Sequence, residues 1–309
     1  VYARCPVKGT ELTCRDIAHR NDNCSWNTDM YGVDCMRPGA QEYYDSIFEL
    51  YAQWGVDYVK VDDISFPYHG GEIELVHNAI EHGRAIVLSL SCGPAPREKA
   101  EHLCRFANLW RTTGDFWDDW NDLYQAFEIC HQWEGVGGPG HWPDADMLPF
   151  GHLALRSTER GWGDRWTHFT QDEQVALMTL WCLFRSPLMV GAELNDNDEF
   201  TLNLLTNDEV LALLSESRNA RQVYREERYN YAGEVIVWQA ENEQGETYCA
   251  VFNCGPKARK LAVQLSSALG LEGAYTGRDL WAHEEIPVGR ALEVEVPSHG
   301  ARLVKLTKK

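Results

Sequence analysis

The chain has 309 residues, enough for one large domain and a smaller companion, and 44% of them are hydrophobic, enough for a sizeable core. Its 47 acidic against 28 basic residues give a formal charge of −19, which argues against nucleic acid or anionic membranes as partners, whose phosphates would be repelled. No apolar run approaches the roughly 20 residues of a membrane span.

Residues 1–40 show no sustained hydrophobic period and are rich in Cys, Asn, Asp and Gly, so they read as loop. From Gln41 onward, Tyr44, Ile47, Phe48, Tyr51 and Trp54 recur at helical spacing and predict an amphipathic helix. WGVDYVKVDD (54–63) follows. Its Val56, Tyr58, Val59 and Val61 predict a strand covered on both faces, with Asp62 and Asp63 where it emerges. Taken alone, either carboxylate could simply cap the next helix. A helix over 72–82 leads into AIVLSLS (85–91), a second short apolar strand. Then come a helix over 97–106, a brief strand over 108–111 and a helix over 117–133. A Gly- and Pro-rich loop at 135–140 delivers HWPDADML, and a helix over 172–184 with a short strand at 188–190 completes the series.

Strands alternating with helices of this length predict βαβ units and a parallel sheet. Each of five strands ends in polar residues: Asp62, Ser91, the stretch 111–115, Asp144 with Asp146, and Glu193. That repetition favours an α/β barrel whose site lies on one rim. A doubly wound sheet should carry a GxGxxG phosphate loop, and the sequence has none. Past about residue 215 the pattern changes to short strands at 235–238, 248–252, 261–265 and 292–296. In the last, Leu292, Val294 and Val296 alternate with Glu293 and Glu295. The expected division is therefore a barrel over 1–214 and a small antiparallel sandwich over 215–309.

Ten scattered cysteines form no CxxC pair, so they read as free, partly buried thiols and lean towards a reducing compartment such as the cytoplasm. Twelve Trp and thirteen Tyr offer flat faces that suit sugar rings and equally a core.

Four segments together resemble glycoside hydrolase family 27, the α-galactosidases and α-N-acetylgalactosaminidases. WGVDYVKVDD is similar to the family's fourth-strand motif, in which Lys, one residue and then Asp end the strand. SLSCGP (89–94) is similar to its fifth-strand Ser-Cys motif. LWRTTGDFWDDW (109–120) keeps Arg followed four residues later by the acid/base Asp. GHWPDADMLPFG (140–151) is close to the seventh-strand motif. RSPLMVG (185–191) and a C-terminal β domain also fit, so the resemblance spans nearly the whole chain.

The resemblance implies a (β/α)8-type barrel with a C-terminal β-sandwich, and retaining cleavage of glycosidic bonds with no metal or cofactor. It makes Asp62 the nucleophile and Asp115 the acid/base. It gives Lys60 and Arg111 the sugar hydroxyls, and makes Cys92, Asp146 and Met147 line the pocket. The implied substrates are terminal α-galactosides or α-N-acetylgalactosaminides, and an oligomer is compatible with it. Without the resemblance, Asp118, Asp119 and Asp122 compete with Asp115; those three read as the first turns of a solvated helix. In the family, a Glu after Ser-Cys reads the galactose 2-hydroxyl, and here Gly93 follows Cys92, which is expected to enlarge the pocket. Only barrel strands four to eight are legible. The chain is therefore expected to be the later part of a longer polypeptide and, alone, to turn over no p-nitrophenyl α-galactoside. Two rival classes compete with this reading. One is a metal-dependent hydrolase using His69, His77, His141, Asp144 and Asp146, for which HxH and HExxH pairs are lacking. The other is a non-catalytic sugar-binding protein on the same scaffold.

Overall fold

The structure, a computed structural model, describes residues 4–157, 163–226 and 234–309. Its contacts divide into two units: the residues up to Asp115 with Val136–Asp144, and Phe116–Gly135 with Ala145–Lys309.

In the first unit, part of the stretch expected as loop is ordered. A single helical turn α1 (Cys14–Ile17) leads into a hairpin of β1 (Ala18–Asn23) and β2 (Tyr31–Val33), with Ala18 opposite Val33 and His19 opposite Gly32. β1 reads AHRNDN and buries only Ala18, so it offered no apolar alternation to detect. Helix α2 (Ala40–Gln53) falls where the periodicity places it, and Gly55, at φ 74°, turns the chain out of it. The βα series follows: β3 (Tyr58–Val61), α3 (Gly70–Glu81), β4 (Val87–Leu90), α4 (Ala100–Phe106), β5 (Leu109–Arg111) and β6 (Trp142–Asp144).

These four strands pair in parallel in the order β3-β4-β5-β6, the partial barrel wall that the pattern implied. The register sets Lys60 beside Ser89, Leu90 beside Trp110, and Arg111 beside Asp144. One expectation is corrected. β3 is not covered on both faces: Tyr58 and Lys60 are exposed and Val59 and Val61 half-buried. Among the described residues β3 pairs only with β4. β5 is buried throughout.

In the second unit, α5 (Trp120–Gln132) starts later than the pattern suggests, because Asp119 caps it by accepting from Asn121 N at 2.8 Å. The two-residue strands β7 (His152–Leu153) and β8 (Arg165–Trp166) pair antiparallel. Helix α6 (Gln171–Phe184) opens on a Thr170/Glu173 capping box and is buried on nearly every side from Ala176 to Leu183. The strand expected at 188–190 reduces to one parallel bridge, Leu148 to Val190. Three short helices, α7 (Glu199–Leu205), α8 (Asp208–Leu211) and α9 (Leu213–Glu216), lead to the all-β part.

There β9 (Arg218–Arg225), β10 (Val235–Glu241), β11 (Thr247–Asn253), β12 (Arg259–Gln264), α10 (Leu265–Leu269), β13 (Tyr275–Asp279), β14 (Glu284–Ile286), β15 (Ala291–Val296) and β16 (Ala301–Lys308) follow in order. Six of the strands form one sheet, β14-β13-β16-β11-β10-β9, and β12 pairs with β15 in a second. β10 is apolar on both faces for a reason visible in the packing. Val235 and Val237 share a cluster with Val263, Leu292 and Val296 of the small sheet, while Ile236 and Trp238 join the cluster that holds Trp181 of α6. The six-stranded sheet is thus covered on both faces at β10.

Among the described residues no cysteine forms a disulfide. Burial pushes the Cys182 and Cys249 thiols up to about 12, so they behave as small apolar core groups. Glu209 is held by Arg278 through Nε at 2.5 Å and Nη2 at 2.7 Å. The Arg278 bonds, then His283, hold its carboxyl down at about 2 against an ordinary 4.5. A depressed carboxyl contributes stability above its unfolded value and loses it as pH falls through the folded one. We expect Glu209→Gln to lower unfolding free energy by about 1 kcal/mol at pH 7. The deficit should vanish between pH 4.5 and 2, which urea titrations at the two limits measure.

Candidate active site

The site is assembled by the parallel register. β3, β4 and β5 end side by side, so the residues leaving them gather at one edge of the sheet. Backbone bonds carry the alignment past the strands: Ser91 N donates to Val61 O at 2.8 Å, and Ile64 N donates to Ser91 O at 2.9 Å. Ala95 N donates to Arg111 O, and Thr112 N to Asp144 O, both at 2.9 Å. Asp62, Cys92, Arg111 and Asp115 therefore leave three adjacent strands of a single unit.

Asp62 is exposed at the mouth of β3. Asp63 is half-buried at φ 54°, in the left-handed region that Asp tolerates better than most residues, and its carboxylate pairs with the Cys24 thiol. The two neighbours are thus separated by environment: one carboxylate faces solvent and the other turns the chain. Lys60, one residue before Val61, is exposed and lines a cavity of about 460 Å3 together with Asp62, Asp63 and Trp26.

Cys92 is half-buried, and its thiol points to Phe66 O at 3.4 Å. Burial first, and then the charges of Asp62, Asp63 and Asp115, raise this thiol above its ordinary value. Ser91–Cys92 and Gly93–Pro94 are cis peptides. Gly93 packs on backbone: a Cβ there would sit 2.9 Å from Arg111 O and closer still to Thr113 O. A Glu at this position would need the strand exits to move apart. As the backbone stands, the position therefore has no room for a β-carbon.

Arg111 is 3% exposed and Asp115 78%, and Nη2 of the first stands 3.5 Å from Oδ1 of the second. The same Nη2 donates to Gly114 O, which fixes the loop carrying Asp115. A buried guanidinium beneath an exposed carboxylate can hold that carboxylate in place and attract an electron-rich hydroxyl.

Asp146 and Met147 belong to the second unit. Asp146 is 8% exposed at φ 82°; its Oδ2 accepts from Phe116 N at 2.8 Å and its backbone O accepts from Trp181 Nε1 at 2.9 Å. A carboxylate so held steadies the residue that follows Asp115 in the chain. Met147 packs against Gly191. Asp118 is corrected: it is not on a solvated turn but 5% exposed, gripped by Arg165 at 2.5 and 2.7 Å. Its partner lies 47 positions away in sequence, beyond what local pattern could reveal. Asp119 and Asp122 do belong to the start of α5.

The histidines of the rival metal reading disperse. His77 packs edge-on against Phe106, and His141 Nδ1 bonds to Ala107 O at 2.7 Å. His69 instead lies near Asp22 and Glu72, neither of which the sequence reading singled out.

Comparison with known proteins places the chain in one family. A family model described as alpha galactosidase A matches residues 8–216, and one described as the alpha galactosidase C-terminal beta sandwich domain matches residues 232–306. The solved structure of a GH27 β-L-arabinopyranosidase from Geobacillus stearothermophilus superposes with a TM-score of 0.93 at 50% identity, covering 98% of this chain and 70% of that one. An alpha-galactosidase of Oryza sativa is 28% identical over 87% of this chain and 61% of its own length. One of Coffea arabica is 28% identical over 87% of this chain and 68% of its own length. Against the rice protein and two others, from Arabidopsis thaliana and Cyamopsis tetragonoloba, the chain spans 61–65% of the relative's length.

Proposed function

Because the chain belongs to the α-galactosidase A family, glycoside hydrolase family 27, we propose that it carries the catalytic carboxylates of a retaining glycosidase acting on terminal α-galactosidic bonds. The observation that carries this reading is the register of β3, β4 and β5, from whose adjacent ends Asp62, Cys92 and Asp115 emerge. Retaining hydrolysis needs two carboxyl groups about 5–5.5 Å apart across the scissile bond. Asp62 attacks the anomeric carbon and forms a glycosyl-aspartate as Asp115 protonates the departing oxygen. Water then enters, Asp115 takes its proton, and the sugar leaves with its configuration kept. Lys60 and Arg111 bind ring hydroxyls. Cys92, Asp146 and Met147 are the further residues we assign to the sugar pocket. In domain terms, we assign this chemistry to 1–214 and a supporting role to the sandwich of 215–309.

One observation favours a second substrate. The β-L-arabinopyranosidase is 50% identical to this chain, against 28% for the rice alpha-galactosidase. β-L-Arabinopyranose has the ring of α-D-galactose without its exocyclic hydroxymethyl group, so one catalytic pair serves both. Initial rates on p-nitrophenyl α-galactoside, α-N-acetylgalactosaminide and β-L-arabinopyranoside decide. The α-galactosidase reading expects kcat/KM highest on the first; preference for the third replaces it with the arabinopyranosidase. Hydrolysis of none by a longer polypeptide containing this chain overturns both.

A further inference from the structure

We propose that Asp22, His69 and Glu72 form a divalent-cation site that ties the β1–β2 hairpin to the start of α3. Asp22 lies in β1, His69 precedes the first residue of α3, and Glu72 stands in its first turn. One donor atom from each lies within 4.8 Å of the other two. His69 Nδ1 is 3.3 Å from Asp22 Oδ2 and 3.9 Å from Glu72 Oε1. Ligands bound at about 2.0–2.2 Å around zinc stand roughly 3.3–3.5 Å apart, so the His69–Asp22 spacing already fits and Glu72 has to close in. Two carboxylates and a neutral imidazole offer a formal charge of −2, which a dication cancels. An imidazole nitrogen in the set favours zinc over calcium.

Independent features support a built site. Gly32, in β2, faces both carboxylates: a Cβ there would lie 2.6 Å from Asp22 Oδ2 and 3.1 Å from Glu72 Oε1. Its φ does not demand glycine, so what the position supplies is space. Glu72 is also anchored from behind, since its Oε2 accepts from Tyr44 OH at 2.5 Å while Oε1 turns towards His69. The side chains of His69 and Glu72 are only 17% and 12% exposed. On the hairpin side, His19 Nδ1 stands 3.5 Å from the same Asp22 oxygen, within reach as a further donor.

The test is titration of the full chain with Zn2+ by calorimetry, paired with thermal unfolding. We expect one saturable equivalent, a rise in Tm with added Zn2+, and a loss of affinity of about tenfold or more in Glu72→Gln and in Asp22→Asn. Co2+ in place of Zn2+ should show d–d absorption without a thiolate charge-transfer band, which separates this site from capture by cysteines. Asp22→Asn, in a largely exposed strand, serves if Glu72→Gln fails to fold by circular dichroism. Absence of saturable binding, a thiolate band, or undiminished affinity in a folded variant overturns the site and leaves an ordinary histidine–carboxylate pair.

Discussion

In a longer polypeptide containing this chain, replacing Asp62 with Asn is expected to cut kcat on a nitrophenyl α-galactoside by about 10^4-fold or more, with KM changed only a few-fold. The substitution keeps the shape of the side chain and removes the electron pair that attacks the anomeric carbon, so ground-state binding survives while the first barrier rises. A 10^4-fold loss corresponds to about 5.5 kcal/mol of transition-state stabilisation. The companion variant is Asp63→Asn, because the sequence sets two carboxylates side by side and only their surroundings separate them. Asp63 sits at φ 54° with its carboxylate against Cys24, whereas Asp62 is exposed at the end of β3. Asp63→Asn should therefore cost stability more than turnover. Initial rates for both variants, alongside urea unfolding, check the pair. Near-wild-type turnover in Asp62→Asn with loss in Asp63→Asn would transfer the nucleophile's role to the neighbour.

What could be read from sequence follows the physics of burial. AIVLSLS announces β4 because a strand covered on both faces needs an unbroken apolar run. Tyr44, Phe48 and Tyr51 announce α2 because one helical face must be buried. β1 and β9 went unread for the converse reason: AHRNDN and RNARQVYR are held by backbone pairing with little apolar signal. β3 mimics a covered strand through Val59 and Val61, although Tyr58 and Lys60, which alternate with them, are exposed. At the site, Asp62 and Asp115 were legible as carboxylates just past strand ends. Three features were hidden by distance in the chain: the Arg165 grip on Asp118, the pressing of Gly93 onto Thr113, and the meeting of Asp22 with His69 and Glu72. Each depends on which segments the fold brings together, and no window along the sequence contains both partners.

Replacing Asp115 with Ala should produce a loss that depends on the leaving group. With a poor leaving group, such as the alcohol of an unactivated galactoside, the departing oxygen needs the proton, and kcat/KM is expected to fall by about 10^2–10^4-fold. With a 2,4-dinitrophenyl leaving group the phenolate departs unaided, so the first step should be nearly spared. Hydrolysis of the glycosyl-Asp62 intermediate then becomes limiting, because no base is left to activate water. Azide needs no base, and it can enter on the face that the Asp115 side chain vacates. Added azide should therefore raise turnover of the activated substrate and yield α-galactosyl azide, whose retained configuration reports attack on a covalent intermediate. The basic limb of the pH–rate profile, which records loss of the acid's proton, should flatten in the same variant. Arg111 gives a second check. Its guanidinium is buried under Asp115 and bonded to Gly114 O, so Asp115→Ala leaves the loop held and separates loss of the proton donor from collapse of the loop. Equal losses on activated and unactivated substrates, with no response to azide, would show that the carboxylate serves binding and not proton transfer.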